Sequence, residues 1–418
     1  MQLFHSPQIE PLLQRLAHRL AKPLDDPFTP ELVVVPSGDM ARYLKQELAR
    51  TLGAKGENDG IVSNINFVYP RQLVNATIQN PTGSEDSEWD SNSLIWSIVD
   101  TLLTHNNITI PGFNEAPLTV ARRAADLFDR YASHRPEMLN EWITGQINTT
   151  TKDQLWQREL FVELVKNLAA RHISPRALDN EENYLHSLRK PQNETLIPQR
   201  ISVFGITTLS RTARQILHAL DHVTDIHIYW VYAAGEKWPK PCTQDQLSRS
   251  EFPAQQISHP LMSRWGTQLV ENASVFVNAQ REYVPGSLAE SSLLHDLQTS
   301  IISDSLSDPT LSPEERNDIR ATSDGSLQIH ACYGLARQVE ALRDAFLHEL
   351  DKNPQLQLRD CAILCADIES AAPIISAVFA PDKLSGSTLP SLSINLVGNV
   401  ASRRTPIVES FLALLRLL

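Results

Sequence analysis

Several features that would assign this chain to a familiar class are missing. No uninterrupted apolar run reaches about 18 residues, the rough minimum for a bilayer-spanning helix, so a membrane span is not expected. The opening Met1-Gln-Leu-Phe-His-Ser-Pro7 has neither a basic stretch nor a long apolar core, so no secretory signal is expected there. Cysteine is scarce, with Cys242, Cys332, Cys361 and Cys365 the four in 418 residues. A structural zinc site needs four Cys/His ligands, and no partner pair accompanies Cys361 and Cys365 at compatible spacing. The thiols are therefore expected to be small buried hydrophobes in a reducing cytoplasm.

Positive charge is also in short supply. The 37 Lys and Arg stand against 49 Asp and Glu, a formal net charge of -12, which argues against a uniformly basic surface for coating nucleic acid. A local basic channel is compatible with that total. Catalytic signatures are absent too: there is no His-Glu-x-x-His, no Asp-x-Asp calcium loop and no Gly-x-Ser-x-Gly elbow. Gly53-Ala-Lys55-Gly56 lacks the flanking strand and the Ser/Thr that would hold Mg²⁺, and reads as a plain loop.

What is present describes an ordinary globular protein, with 42% hydrophobic and 21% charged residues. At 418 residues, two or more domains are expected. The chain opens as βαβα. Strand Gln2-Leu-Phe4 leads through Ser6-Pro7, read as an N-cap and first helical position, into a helix with Ile9, Leu12, Leu13, Leu16 and Leu20 on one face. Glu31-Leu-Val-Val-Val-Pro36 is a continuous apolar strand of the kind a doubly covered parallel sheet requires. Residues 92–190 are helical in pattern, with the clearest stripe at Val120, Ala124, Leu127, Phe128 and Tyr131. Strand patterns return at 200–205 and 225–232, separated by a helix.

The expected organisation is an α/β sheet domain over 1–91 and 191–301, a helical insertion over 92–190, and a polar linker over 302–326. A second α/β unit starts at 327, with strands Leu327–Cys332 and Cys361–Cys365 flanking a helix. The apolar, uncapped segment Thr405–Leu418 leads to the expectation that the chain is part of something longer.

Two strand-to-helix junctions occupy the places where a nucleotide-hydrolysing motor carries its catalytic loops. After Gln2-Leu-Phe4 comes His5-Ser-Pro7, without a glycine turn or a Lys-Ser/Thr pair; after Ile201–Phe204 comes Gly205-Ile-Thr207, without Asp-Glu. A phosphate cradle needs backbone N–H groups aimed by a Gly-rich turn, together with a lysine. A motor-like scaffold without hydrolysis is the expectation. Arg122, Asp126 and Arg130 are spaced as i,i+4 ion pairs of a solvated helix, worth a few tenths of a kcal/mol each. The same residue types read base edges, arginine donating to guanine and aspartate accepting from cytosine. Trp96, Trp142, Trp156, Trp230 and Trp265 could stack on bases, but most lie at apolar-face positions that favour core packing.

Several segments together resemble the N-terminal part of the RecC family, the gamma subunit of exodeoxyribonuclease V (RecBCD). They are Leu3-Phe-His-Ser6, Leu24-Asp-Asp-Pro-Phe28, Ser37-Gly-Asp-Met-Ala41, Asn64-Ile-Asn-Phe67 with Pro70, and Ala124-Ala-Asp-Leu-Phe-Asp129 through Arg135-Pro136. Further on come Val203-Phe-Gly-Ile206, His259–Gly266, Leu293–Gln298, Arg337-Gln-Val-Glu340 and Ala366–Ser370, all in order along the chain.

The resemblance implies an inactive superfamily 1 helicase-like (P-loop-type) sheet domain with a large helical insertion, followed by the start of a second helicase-like α/β domain. It implies a heterotrimer with RecB-like and RecD-like subunits that acts on double-stranded DNA ends and single-stranded DNA. ATP and Mg²⁺ would be used by those partners, with no cofactor in this chain. The implied tasks are splitting the duplex, channelling single strands and recognising the recombination signal Chi. Chi recognition falls by resemblance on Asp126, Leu127, Asp129, Arg135, Arg176 and Tyr69, while Asn75 departs from the apolar residue of the family. The alternatives are an active ATP-dependent helicase with atypical motifs, or a pure protein-interaction scaffold.

Overall fold

Strands buried on both faces present alternate side chains to two different layers, so a run of apolar residues in a parallel sheet has to find two cores. The computed structural model describes residues 1–53, 60–70, 72–73, 91–104, 116–145, 152–171, 185, 188, 197–233, 235–236, 258–266, 272, 276, 279–286, 292–305, 312, 314, 324–379, 392–395, 410 and 414. They form two units, Met1–Asp318 and Ile319–Leu418. The first contains six strands: β1 (Gln2–Ser6), β2 (Glu31–Val34), β3 (Ile65–Val68), β4 (Arg200–Phe204), β5 (Asp225–Val231) and β6 (Gln280–Tyr283). Every ladder is parallel, and the order across the sheet is β3-β2-β4-β5-β1-β6.

The alternation is read directly in the two cores. Leu3, Val34, Ile201, Val203, Ile226, Ile228 and Trp230 face one way, onto Ile216, Leu217 and Leu220 of α7 (Arg211–Asp221). Their neighbours Phe4, Val33, Val35, Phe204 and Tyr229 face the other way. There they meet Leu12 and Leu16 of α1 (Ile9–Leu20) and Leu44 and Leu48 of α2 (Gly38–Leu48). Ser37 caps α2 by accepting from the Met40 N–H at 3.2 Å, and Ser210 caps α7 in the same way through Ala213.

The expected cap of α1 is displaced. Ser6 is the last residue of β1 and wholly buried, and its Oγ accepts from the Gln8 N–H at 3.2 Å, so Gln8 takes the N-cap position and α1 starts at Ile9. Two strands had no clear signal. β3 is only four residues long, and β6, Gln-Arg-Glu-Tyr, is a polar edge strand without apolar alternation.

The amino ends of the strands are tied by buried charge. Arg19 of α1, only 7% exposed, donates to the Asp225 carbonyl at 2.9 Å and pairs with its carboxylate at 3.0 Å. Arg200 pairs with Glu31 and donates to the Lys22 carbonyl, while the amino terminus pairs with Asp221.

The helical insertion has its own core. In α3 (Ser91–Thr104), α4 (Pro117–His134), α5 (Pro136–Thr144) and α6 (Lys152–Ala170), the residues Leu94, Ile98, Ala124, Phe128, Leu139, Trp142, Phe161 and Leu164 are buried together. It joins the sheet at α7, where the Thr212 hydroxyl donates to the Ala132 carbonyl at 3.0 Å and Arg211 pairs with Glu137. Beyond it, α8 (Pro260–Trp265) precedes β6 and α9 (Leu293–Ile302) follows it.

In the second unit, α10 (Gly334–Lys352) and α11 (Ile368–Phe379) pack around Val339, Ala371, Ile375 and Phe379. The two strands expected here are not strands. Among the described residues of this unit no β-ladder forms, and Ile329 and Leu364 are 92% and 98% exposed. A strand pattern records side-chain preference, whereas a strand exists only when a neighbour accepts its N–H and C=O groups. The expectation of buried thiols fails for the same reason. Cys332 and Cys361 are partly exposed and Cys365 is exposed; Cys242 lies outside the described residues.

Two buried histidines make stability pH-dependent. Burial, assisted by the charge of Arg281, lowers the His5 pKa from 6.5 to about 4. Burial and then Arg19 likewise lower His227 to about 4. The unfolded chain binds these protons first, so this contribution is complete above about pH 6.5, declines as pH falls to about 4, and is constant below. Urea midpoints measured from pH 7.5 to 4 should show that decline. A His5→Phe variant should show a shallower one, and an identical slope would remove His5 from the account.

Candidate nucleic-acid interface

Ligands of parallel α/β sheets bind beyond the carboxyl ends of the strands. Here a cleft of about 960 Å³ opens beyond β1, β5 and β6, lined by Pro7, Gln8, Arg15, Ala233, Pro285 and Ile301 among others. The first turn of α1 ill suits phosphate: Pro11 has no N–H to offer and Glu10 places a negative charge where an anion would sit. Arg15 is already paired with Glu282 and lies over the Phe4 ring. His5, 3% exposed, packs edge-on to Tyr232 and tilted against Tyr283, so the end of β1 is filled by a neutral ring. At the end of β4, Gly205 adopts φ +66° and a Cβ there would lie 3.3 Å from Met40 Cε, so this junction is a tight backbone turn.

The second region is the outer face of α4. Its inner stripe, Val120, Ala121, Ala124, Ala125 and Phe128, is buried, and this fixes the opposite side toward solvent. Arg122, Asp126 and Arg130 lie on that side, and Arg130 donates to Asp126 at 2.7 Å with both side chains more than 60% exposed. Of the two expected i,i+4 pairs this is the one that forms. Asp129 is half-buried and engaged with neighbours, and Leu127 is a half-buried flank of the stripe. Arg135 is exposed at the junction of α4 and α5, where its N–H donates to the Tyr131 carbonyl at 2.7 Å. Proline at position 136 starts α5 immediately, so the junction is short.

The structure thus gathers Asp126, Leu127, Asp129 and Arg135 on one helix and its end. Tyr69 is on a different element, just past β3, 41% exposed, with its hydroxyl 3.2 Å from where a Cβ on Gly38 would be. Arg176 and Asn75 lie outside the described residues. Trp142 and Trp230 are buried as expected, but Trp96 and Trp265 are 66% and 81% exposed. Sequence reading passed over α7, whose Arg211, Arg214 and His218 recur at helical spacing on one side; that spacing was the available signal.

A family profile described as "RecC, N-terminal domain" matches residues 1–304. Among curated proteins, the RecBCD enzyme subunit RecC of Mycobacterium tuberculosis (strain ATCC 25618 / H37Rv) is 29% identical over 98% of this chain and 38% of its own length. The RecBCD enzyme subunit RecC of Mycolicibacterium smegmatis is 30% identical over 91% of this chain and 34% of its own length. That of Escherichia coli (strain K12) is 26% identical over 100% of this chain and 41% of its own length. The chain therefore spans between 34% and 41% of these three relatives.

The two sides of α4 should respond differently to truncation. Asp126→Ala removes an exposed ion pair and should change stability by less than about 1 kcal/mol. Phe128→Ala empties a site in the insertion core and should cost about 3–5 kcal/mol. Urea denaturation followed by tryptophan fluorescence measures both; a large loss for Asp126→Ala would make that carboxylate structural.

Proposed function

The chain belongs to the RecC family, and on that premise we propose that it is a non-catalytic DNA-handling part of a RecBCD-type helicase and nuclease. Its tasks are to split duplex ends, channel single strands and recognise Chi during double-strand break repair by recombination. Its partners are RecB-like and RecD-like subunits in the cytoplasm, which bind the ATP and Mg²⁺ and perform the hydrolysis. Residues 1–91 with 191–301 form an inactive helicase-like sheet domain and 92–190 its helical insertion. Residues 302–326 act as linker, and 327–418 begin a second helicase-like domain.

One observation carries this reading: a parallel sheet covered on both faces holds a buried neutral histidine, a proline and a glutamate where a motor needs glycine, lysine and free N–H groups. Hydrolysis needs that cradle, so the work of the fold moves elsewhere. The outer side of α4 supports DNA reading because it offers both acceptors and donors, Asp126 and Asp129 for cytosine amino groups and Arg135 for guanine. A well-buried inner stripe holds them on a rigid support. Leu127 and Tyr69 add apolar contact for bases, and Arg176 joins them by resemblance.

In the complex reconstituted with its partner subunits, Asp126→Ala, Asp129→Ala and Arg135→Ala should each reduce the response to Chi at least about fivefold, given about 1–3 kcal/mol per base contact. Unwinding of DNA without Chi should persist. Single-stranded DNA should crosslink to residues between 117 and 144. An intact Chi response in all three variants, or ATP hydrolysis by the chain alone, would overturn the proposal. Altered assembly with an intact Chi response would instead identify an interaction scaffold.

A further inference from the structure

We infer that the half-buried Arg214 side of α7 is a second DNA contact, in which Arg214 holds a phosphodiester of the strand whose bases meet α4. The inference rests on the reading of α4 given above and supplies what that reading lacks, a grip on the backbone.

Arg214 is half-buried, yet among the described residues its guanidinium has neither an ion pair nor a hydrogen bond. A guanidinium partly removed from water normally finds a carboxylate. Here the charge that acts on it is another cation, Arg211, one turn earlier, and burial together with that repulsion lowers its pKa. Next to it, Gln215 Oε1 is buried without a hydrogen-bond partner.

The remainder of the face agrees. Arg211, Arg214, Gln215, His218 and His222 fall within one arc of α7; the carboxylate that borders it, Asp221, is paired with the amino terminus. The opposite arc, Ala213, Ile216, Leu217 and Leu220, is buried against the sheet, so the basic arc cannot rotate away. In a chain of net charge -12, an arginine left without a carboxylate partner is a local reversal of sign. It is also continuous with the α4 site, because the Thr212 hydroxyl donates to the Ala132 carbonyl and Arg211 pairs with Glu137 of α5. A polyanion following that line finds donors for bases on α4 and donors for phosphate on α7. Phosphate contacts fix register and orientation, and base contacts then read sequence.

The test is the salt dependence of DNA affinity, measured on the chain assembled with its partner subunits, with a single-stranded oligonucleotide and with a blunt duplex. Losing one phosphate contact should lower the slope of log affinity against log salt by about 0.7 for the single strand or about 0.9 for the duplex. The arm that changes identifies the source of the phosphate. Arg214→Gln should show that loss and Arg214→Lys should retain most of the slope. His218→Glu, which puts a carboxylate one turn from Arg214 without deleting it, should reproduce the loss even if Arg214→Gln folds poorly. An unchanged slope in Arg214→Gln and His218→Glu overturns the inference. Weaker recovery of partner subunits at unchanged slope also overturns it, by assigning Arg214 to a protein carboxylate. Neither result touches the α4 reading, which is judged by the Chi response.

Discussion

Everything in the first unit depends on the requirement that a parallel sheet be covered on both faces. Each strand answers it with neighbouring residues that go to opposite cores: Leu3 and Phe4, Val34 and Val33, Val203 and Phe204, Ile228 and Tyr229. Two helices, α1 and α2, cover one face, and α7 with Met262 of α8 and Ile301 of α9 packs on the other. The charged network at the amino ends then fixes where the helices enter. Arg19 reaches from α1 to Asp225, and Arg200 to Glu31, so the opposite, carboxyl edge is left for loops.

That carboxyl edge is where such a sheet ordinarily does chemistry, and here the strand ends that would cradle phosphate are taken up by packing and a tight turn. His5 is buried among aromatic rings, Pro11 withholds a donor, and Gly205 makes a turn. The side chains proposed to meet DNA are instead on α4 and α7, whose inner faces are fixed by separate cores. Rigid support beneath and mixed charge above is the arrangement that recognition needs. It does not require hydrolysis.

The sheet was largely legible because its central strands are apolar and its caps are explicit. Glu31–Val34 and Arg200–Phe204 announced themselves through Val, Ile and Phe, and Ser37 and Ser210 marked helix starts. β6 escaped because Gln-Arg-Glu-Tyr pairs through its backbone alone, which leaves no side-chain trace. In the second unit the opposite happened: Leu327–Cys332 and Cys361–Cys365 have strand composition but no ladder partner among the described residues. At the candidate site, the i,i+4 spacing disclosed the Asp126–Arg130 pair. The α7 arc was harder, since its meaning lies in the carboxylate that Arg214 does not have, and spacing cannot reveal a missing partner.

The seam between α4 and α7 has a mechanical meaning. The Thr212 hydroxyl on the Ala132 carbonyl and the Arg211–Glu137 pair join a four-helix core to a sheet through a few short bonds near one end of α4. On the proposed function, a strand held on the outer side of α4 and drawn by a partner motor would load that end like a lever against a short hinge pin. The torque would pass into α7, whose buried arc of Ile216, Leu217 and Leu220 spreads it over the neighbouring strands. Close packing transmits such strain with little give. Tension in the bound strand would thereby be felt across β4 and β5, turning a passive sheet into a strut.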